Sequence, residues 1–99
     1  MPSSSRRSVP PERRPYRVEL APGAARDLRA LPVAVRRRVG LRIESLALDP
    51  RPAGAKKLAG LESLYRLRIG DYRILYQVLD RVLLVLLVGL GHRRDVYRR

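Results

Sequence analysis

Cysteine is absent and histidine occurs once, at position 92. Without thiols there is neither a disulfide framework nor a thiolate metal site, and one imidazole cannot build an ordinary zinc site. Any chemistry is therefore expected to run without a metal or other cofactor. Long apolar runs are also lacking. The longest, within residues 82–90, is about half the ~20 residues that a spanning helix needs, and its Val and Leu content reads as a buried strand. Acidic residues number only 9 against 22 Lys and Arg, giving a formal net charge of +13. A field of that sign attracts RNA, DNA, anionic membrane or an acidic protein, and charge alone does not choose among them. The start, MPSSSRRSVPPERRP, contains an arginine pair with no apolar segment behind it, which argues against an export signal and for the cytoplasm.

What is present fits one small domain of 99 residues. Residues 1–15 mix Ser, Pro and Arg with little to bury, so a disordered basic arm is expected there and a folded domain over residues 16–99. YRVEL alternates, predicting a strand over residues 16–21. PGAARDLRAL, bounded by Pro22 and Pro32, predicts a short helix with Ala24, Leu28 and Leu31 inward. VAVRRRVGLRIESLALDP predicts a longer helix closed by Pro50, with Val35, Val39, Ile43 and Leu46 in one stripe. Leu41 and Leu48 lie well away from that stripe and need the first helix or a partner to cover them. Arg36, Arg37, Arg38 and Arg42 read as a solvated face whose stems run along apolar surface. Residues 50–63 read as a loop carrying Lys56 and Lys57.

Strands are predicted over 64–69, 72–79 and 82–90, joined by the two-residue connections Gly70-Asp71 and Asp80-Arg81. The order β-α-α-β-β-β predicts an α+β fold: a mainly antiparallel four-stranded sheet with two helices on one face. With Gly70-Asp71 as the turn, Arg68 faces Arg73 and Arg66 faces Leu75, so Arg66, Arg68 and Arg73 share one side. Continuing through the second hairpin pairs Leu75 with Leu86 and Arg73 with Val88, and brings His92 out on the arginine side. Tyr65, Leu67, Ile69, Tyr72, Ile74, Tyr76, Val78, Leu83, Val85 and Leu87 fall on the other, core side, and a one-residue slip would expose them all. Like charges directly opposite on adjacent strands are unfavourable unless something anionic sits between them, so a phosphate site is expected. Leu84 and Leu86 lie on the arginine side, where no helix covers them, and an apolar partner segment is expected there.

Metal-free RNA cleavage needs a base for the 2′-hydroxyl proton, cations on the phosphate and an acid for the leaving oxygen. DNA lacks that hydroxyl. Arginines suit the phosphate because they donate in a fork and stay charged. The ending GLGHRRDVYRR supplies proton-transfer groups beside them. An unperturbed histidine titrates near pH ~6.5, and a tyrosine, ordinarily protonated to pH ~10, is pushed toward phenolate by surrounding guanidinium groups. A solvated basic tail is the plainer reading of the same residues.

The element order, together with LYRLRIGDYRILYQV and GHRRDVYR, resembles the RelE/ParE superfamily of bacterial toxins, and its RelE branch in particular, over residues 16–98. AARDLRALP and KKLAGL resemble the family's first helix and its loop. The resemblance implies a type II toxin that enters the ribosomal A site and cleaves mRNA, restrained by a cognate acidic antitoxin. It also implies that the toxin–antitoxin complex contacts operator DNA mainly through the antitoxin. On matching positions it implies Arg73 as the phosphate-stabilising arginine, Arg66 and Arg68 as basic RNA-binding positions, and Lys56 and Lys57 as contacts to RNA backbone. Tyr97 matches the base, Arg93 or Arg94 the proton donor, and His92 could take over one of those roles. The ParE branch shares the fold but acts on DNA gyrase and generally lacks this arginine, histidine and tyrosine combination. An inactive module that only binds antitoxin or nucleic acid is a third possibility.

Overall fold

Gly70 and Asp71 form the two-residue turn that the alternation on either side of them requires. Gly70 takes a left-handed φ of 61°, which only glycine adopts without cost. The strands it joins pair Ile69 with Tyr72, Arg68 with Arg73 and Arg66 with Leu75, in the expected register. The structure, a computed structural model, describes residues 15–58, 60 and 63–92. The arm expected over residues 1–15 falls outside them except for Pro15, and so do Arg93, Arg94 and Tyr97.

The described elements are β1 (Arg17–Leu20), α1 (Pro22–Arg29), α2 (Val33–Ser45), β2 (Lys56–Lys57), β3 (Leu64–Ile69), β4 (Tyr72–Leu79) and β5 (Leu84–His92). They build a sheet of order β1-β5-β4-β3-β2, with β1 parallel to β5 and the other pairs antiparallel. The α+β class is as expected, with five strands in place of four. The extra strand arises because Lys56 and Lys57, expected in a loop, pair with Arg66 and Tyr65. Nothing in their own composition favours a strand; the β3 edge supplies the partner.

Both helices pack on one sheet face. Pro22 opens α1, where its missing N–H would have no acceptor anyway. Ala24 is buried, and Leu28 and Leu31 are half-buried against the core. From α2 come Val39 and Ile43, joined by Leu46 just beyond its last residue, and they meet Leu67, Ile74, Tyr76, Val78, Val85 and Leu87 from the sheet. Leu41 and Leu48 stay exposed, so α1 does not cover them.

The second hairpin departs from expectation twice. Its connection is four residues long: Asp80–Val82 make a 3-10 turn and Leu83 takes a left-handed φ of 52°. Leu79 therefore pairs with Leu84, and Gln77 with Leu86. A two-residue displacement leaves side chains on their expected faces, so Val85 and Leu87 are still core and Leu84 and Leu86 still face away from the helices. The second departure is a bulge. Tyr76 pairs with Leu87 but Leu75 with Gly89, so Val88 is extra and exposed. One extra residue exchanges the faces of everything beyond it.

Candidate functional site

Facing pairs share a side of the sheet, so Lys56, Arg66, Arg68 and Arg73 all lie on the side away from the helices. Lys56 is directly opposite Arg66, and Arg68 directly opposite Arg73. The sheet thus holds two like-charge pairs on three adjacent strands, one more than the sequence indicated. Arg68 and Lys56 are exposed, whereas Arg66 and Arg73 are half-buried. Lys57, facing Tyr65, belongs to the other side. Glu19, a possible partner for these arginines, is engaged by Arg17 on its own strand at 3.0 Å. Guanidinium and ammonium groups gathered on one sheet face can hold anionic oxygens, the guanidinium groups through fork-shaped hydrogen bonding.

The bulge changes what stands beside Arg73. Gly91, not Val88, lies opposite it, and Gly89 lies opposite Leu75. Glycine in a strand leaves the backbone open to close approach. On the same account His92 does not emerge on the arginine side. It faces Tyr72, with the rings edge to face at 5.6 Å between centroids, on the helix side of the sheet. The expected alignment of His92 with Arg73 is thereby corrected, the cause being the one-residue exchange of faces at Val88.

Sequence reasoning missed two features. The Arg38 guanidinium of α2 lies against the β3–β4 turn, so close that a β-carbon on Gly70 would come within 3.2 Å of its Nη2. A further cation therefore stands at the hairpin tip, beside Gly70. At the opposite end of the sheet Arg51 grips Asp80, with Nη2 donating to Oδ2 at 2.7 Å and Nη1 to Oδ1 at 3.3 Å. Tyr16 donates to the same carboxylate at 2.6 Å, and Arg51 Nε donates to the Tyr65 hydroxyl at 2.9 Å. Hydrogen bonds from Arg51 and then Tyr16 hold the Asp80 carboxyl below the usual carboxylate range. The hydrogen bond to Asp80 holds the Tyr16 hydroxyl above its ordinary value. Burial pushes the Tyr76 hydroxyl up to about 12, while it donates to the Pro50 carbonyl at 2.8 Å. These contacts pin the loop that delivers Lys56, and they shape the four-residue connection after β4. The residues they join lie 14 to 64 positions apart, so no local pattern announces them.

Beside the cations, the same face carries Leu64, Leu75, Leu79, Leu84 and Leu86, all half-buried, with Gln77 among them. Neither helix reaches this side. A cationic patch and an aliphatic patch therefore share one sheet face.

Comparison with known proteins matches this architecture. The family described as ParE toxin of type II toxin-antitoxin system, parDE, matches residues 18–97. Toxin RelG of Mycobacterium tuberculosis is 33% identical over 86 residues, which cover 86% of this chain and 99% of that protein. The toxin–antitoxin complex RelBE2 of the same organism contains a chain superposing with a TM-score of 0.71 at 31% identity, over 82% of this chain and 94% of that one. In the RelE–RelB complex of Pyrococcus horikoshii the corresponding values are 0.72 and 32%, over 81% and 97%. Sequence and fold agree across nearly the full length of these relatives, and the chain belongs to the RelE/ParE superfamily of toxins of type II toxin–antitoxin systems.

Proposed function

We propose that this toxin is a ribosome-dependent endoribonuclease that cuts mRNA in the A site, the attacking group being the RNA's own 2′-hydroxyl. The observation that carries the reading is the gathering of Lys56, Arg66, Arg68 and Arg73 on one sheet face, in two like-charge cross-strand pairs. In the step envisaged, the 2′-oxygen bonds to the adjacent phosphorus, its proton passes to a base, and the bond to the 5′-oxygen breaks as that oxygen takes up a proton. Arg73 balances the charge that builds on the phosphoryl oxygens, where preorganised donors act most strongly. Arg66, Arg68 and Lys56 hold the flanking backbone. Because His92 faces Tyr72, the proton transfers are assigned first to Tyr97 as base and to Arg93 or Arg94 as donor. An open sheet face does not by itself align a 2′-hydroxyl with the leaving oxygen, so the ribosome supplies that alignment.

The partner proposed for Leu84 and Leu86 is a cognate antitoxin, apolar on one side and acidic on the other. RelBE2 is a toxin–antitoxin complex, and the archaeal RelE is seen in complex with RelB. A second reading, inhibition of DNA gyrase, draws on the match to the ParE family and on the placement of His92 away from Arg73.

The deciding experiment is a primer-extension map of a reporter mRNA in a bacterial translation extract, with and without ribosomes, using wild-type protein and Arg73→Ala. Cuts that need both ribosomes and Arg73 support the nuclease. An intact message overturns it and makes a supercoiling assay with gyrase the next test. Arg73→Ala is expected to keep antitoxin binding, whereas Leu84→Asp with Leu86→Asp loses it.

A further inference from the structure

Three of the five most exposed large apolar side chains among the described residues come from one helix and its last turn: Val33, Leu41 and Leu48, at 61%, 63% and 67% exposure. Hydrogen bonds from Leu46 N to Ile43 O and from Leu48 N to Ser45 O continue α2 by a tightened turn, which keeps Leu48 on the outer surface. At 100° per residue these three fall within an arc of about 80°, and Arg37 and Glu44 lie inside the same arc. The ion pairs among the described residues are Arg17–Glu19 and Arg51–Asp80, and neither uses Arg37 or Glu44. The outer face of α2 therefore reads, along its length, apolar, basic, apolar, acidic, apolar.

We infer that this stripe is a self-association surface on which a second copy of the chain docks, its α2 antiparallel to the first about a two-fold axis near Leu41. That arrangement satisfies every member of the stripe. Leu41 meets Leu41, Glu44 of each copy meets Arg37 of the other, and Leu48 meets Val33 and Ala34. An isologous contact requires this self-complementarity, in which each residue's partner recurs on the other side of the axis. A parallel pairing would set Arg37 against Arg37. An acidic helix from another protein would suit the arginines but would oppose Glu44 at the stripe's centre. Gly40 helps the approach: a β-carbon there would touch nothing within 4 Å, so a depression lies beside Leu41 for the other copy's leucine. Because α2 lies on the helix side of the sheet, the cationic and leucine faces of both copies stay outward. The dimer thus goes beyond the proposed nuclease and does not depend on it.

The net charge of +13 opposes association at long range, but salt screens that repulsion beyond about 8–10 Å while the paired groups remain in contact. A contact between two helix faces falls at the small end of specific interfaces, below about 1,200 Å², so a dissociation constant on the order of 10 μM is expected.

Sedimentation equilibrium of the full chain, from about 1 μM to 1 mM, brackets that affinity. The wild-type protein is expected to dimerise, and Leu41→Glu to weaken dimerisation at least tenfold. Glu44→Arg alone and Arg37→Glu alone should each be monomeric. Mixed together they should form a heterodimer, because every contact then joins opposite charges. All these positions are exposed, and circular dichroism melts check that each variant stays folded. A wild-type protein that stays monomeric overturns the inference, as does a dimer indifferent to Leu41→Glu or a mixture that fails to associate. Loss of antitoxin binding by Leu41→Glu in a monomeric protein also overturns it, and assigns the stripe to the antitoxin.

Discussion

At the scale of single residues, Asp80 does the most with the least burial. Its carboxylate receives hydrogen bonds from Arg51 and Tyr16, and through Arg51 it is tied to Tyr65. The folded-state value of Asp80 is lowered, so its contribution to stability is present above the unfolded aspartate value near ~3.9 and is lost as pH falls through the folded value. Asp80→Asn should therefore flatten the acid limb of a melting-temperature profile while costing about 0.2–1 kcal/mol at neutral pH, the range for exposed pairs. An unchanged acid limb would show that other carboxylates control acid unfolding. At the alkaline end the sign reverses. The Tyr76 hydroxyl, pushed up to about 12, favours the folded state fully below the unfolded tyrosine value near ~10, and that contribution disappears as pH rises toward 12.

Among the elements, β5 decides most about the site. Its first half keeps the expected faces, with Val85 and Leu87 inward, and its second half exchanges them at Val88. Leu90 thereby becomes a core residue, Gly91 comes to stand opposite Arg73, and His92 meets Tyr72. Deleting Val88 should remove the bulge and leave Gly89 opposite Leu75, Leu90 in the core opposite Ile74, and His92 opposite Tyr72. The Tyr72–His92 ring contact should therefore persist in NMR spectra, and denaturant unfolding should show no loss of leucine burial. Loss of that ring contact would mean that the strand shifts register when the extra residue is removed. The β3–β4 hairpin behaves oppositely: its alternation and its Gly70-Asp71 turn specify the same register twice, and that register was legible to the residue. β5 was not, because a nearly continuous Leu and Val run looks the same in either register and contains no local mark of a bulge.

Over the whole molecule, charge is divided by the sheet. One side carries Lys56, Arg66, Arg68 and Arg73 beside a leucine patch, and the other carries the helices with their own arginines. If those four cations each neutralise a phosphate, binding of a single-stranded RNA should weaken with salt at a log–log slope near −3. Arg68→Ala should reduce that slope by about 0.7. A slope unaffected by Arg68→Ala would move the binding surface to the helix side, where Arg36, Arg37 and Arg42 lie. The family match over residues 18–97 covers both sides and does not choose between them.

The sequence by itself determined the order of every element but β2, the two helices and their buried stripes, the first hairpin, and the sharing of one face by Arg66, Arg68 and Arg73. Each of these follows from periodicity or turn chemistry within a few neighbouring residues. Only the tertiary structure decided that Lys56 joins that face through β2, that Arg51 and Tyr16 hold the connection after β4, that Arg38 reaches the hairpin tip, and that Val88 turns His92 to the other side. Those outcomes depend on contacts between residues distant along the chain, or on one unpaired residue in an otherwise uniform run. Local pattern carries information about neither.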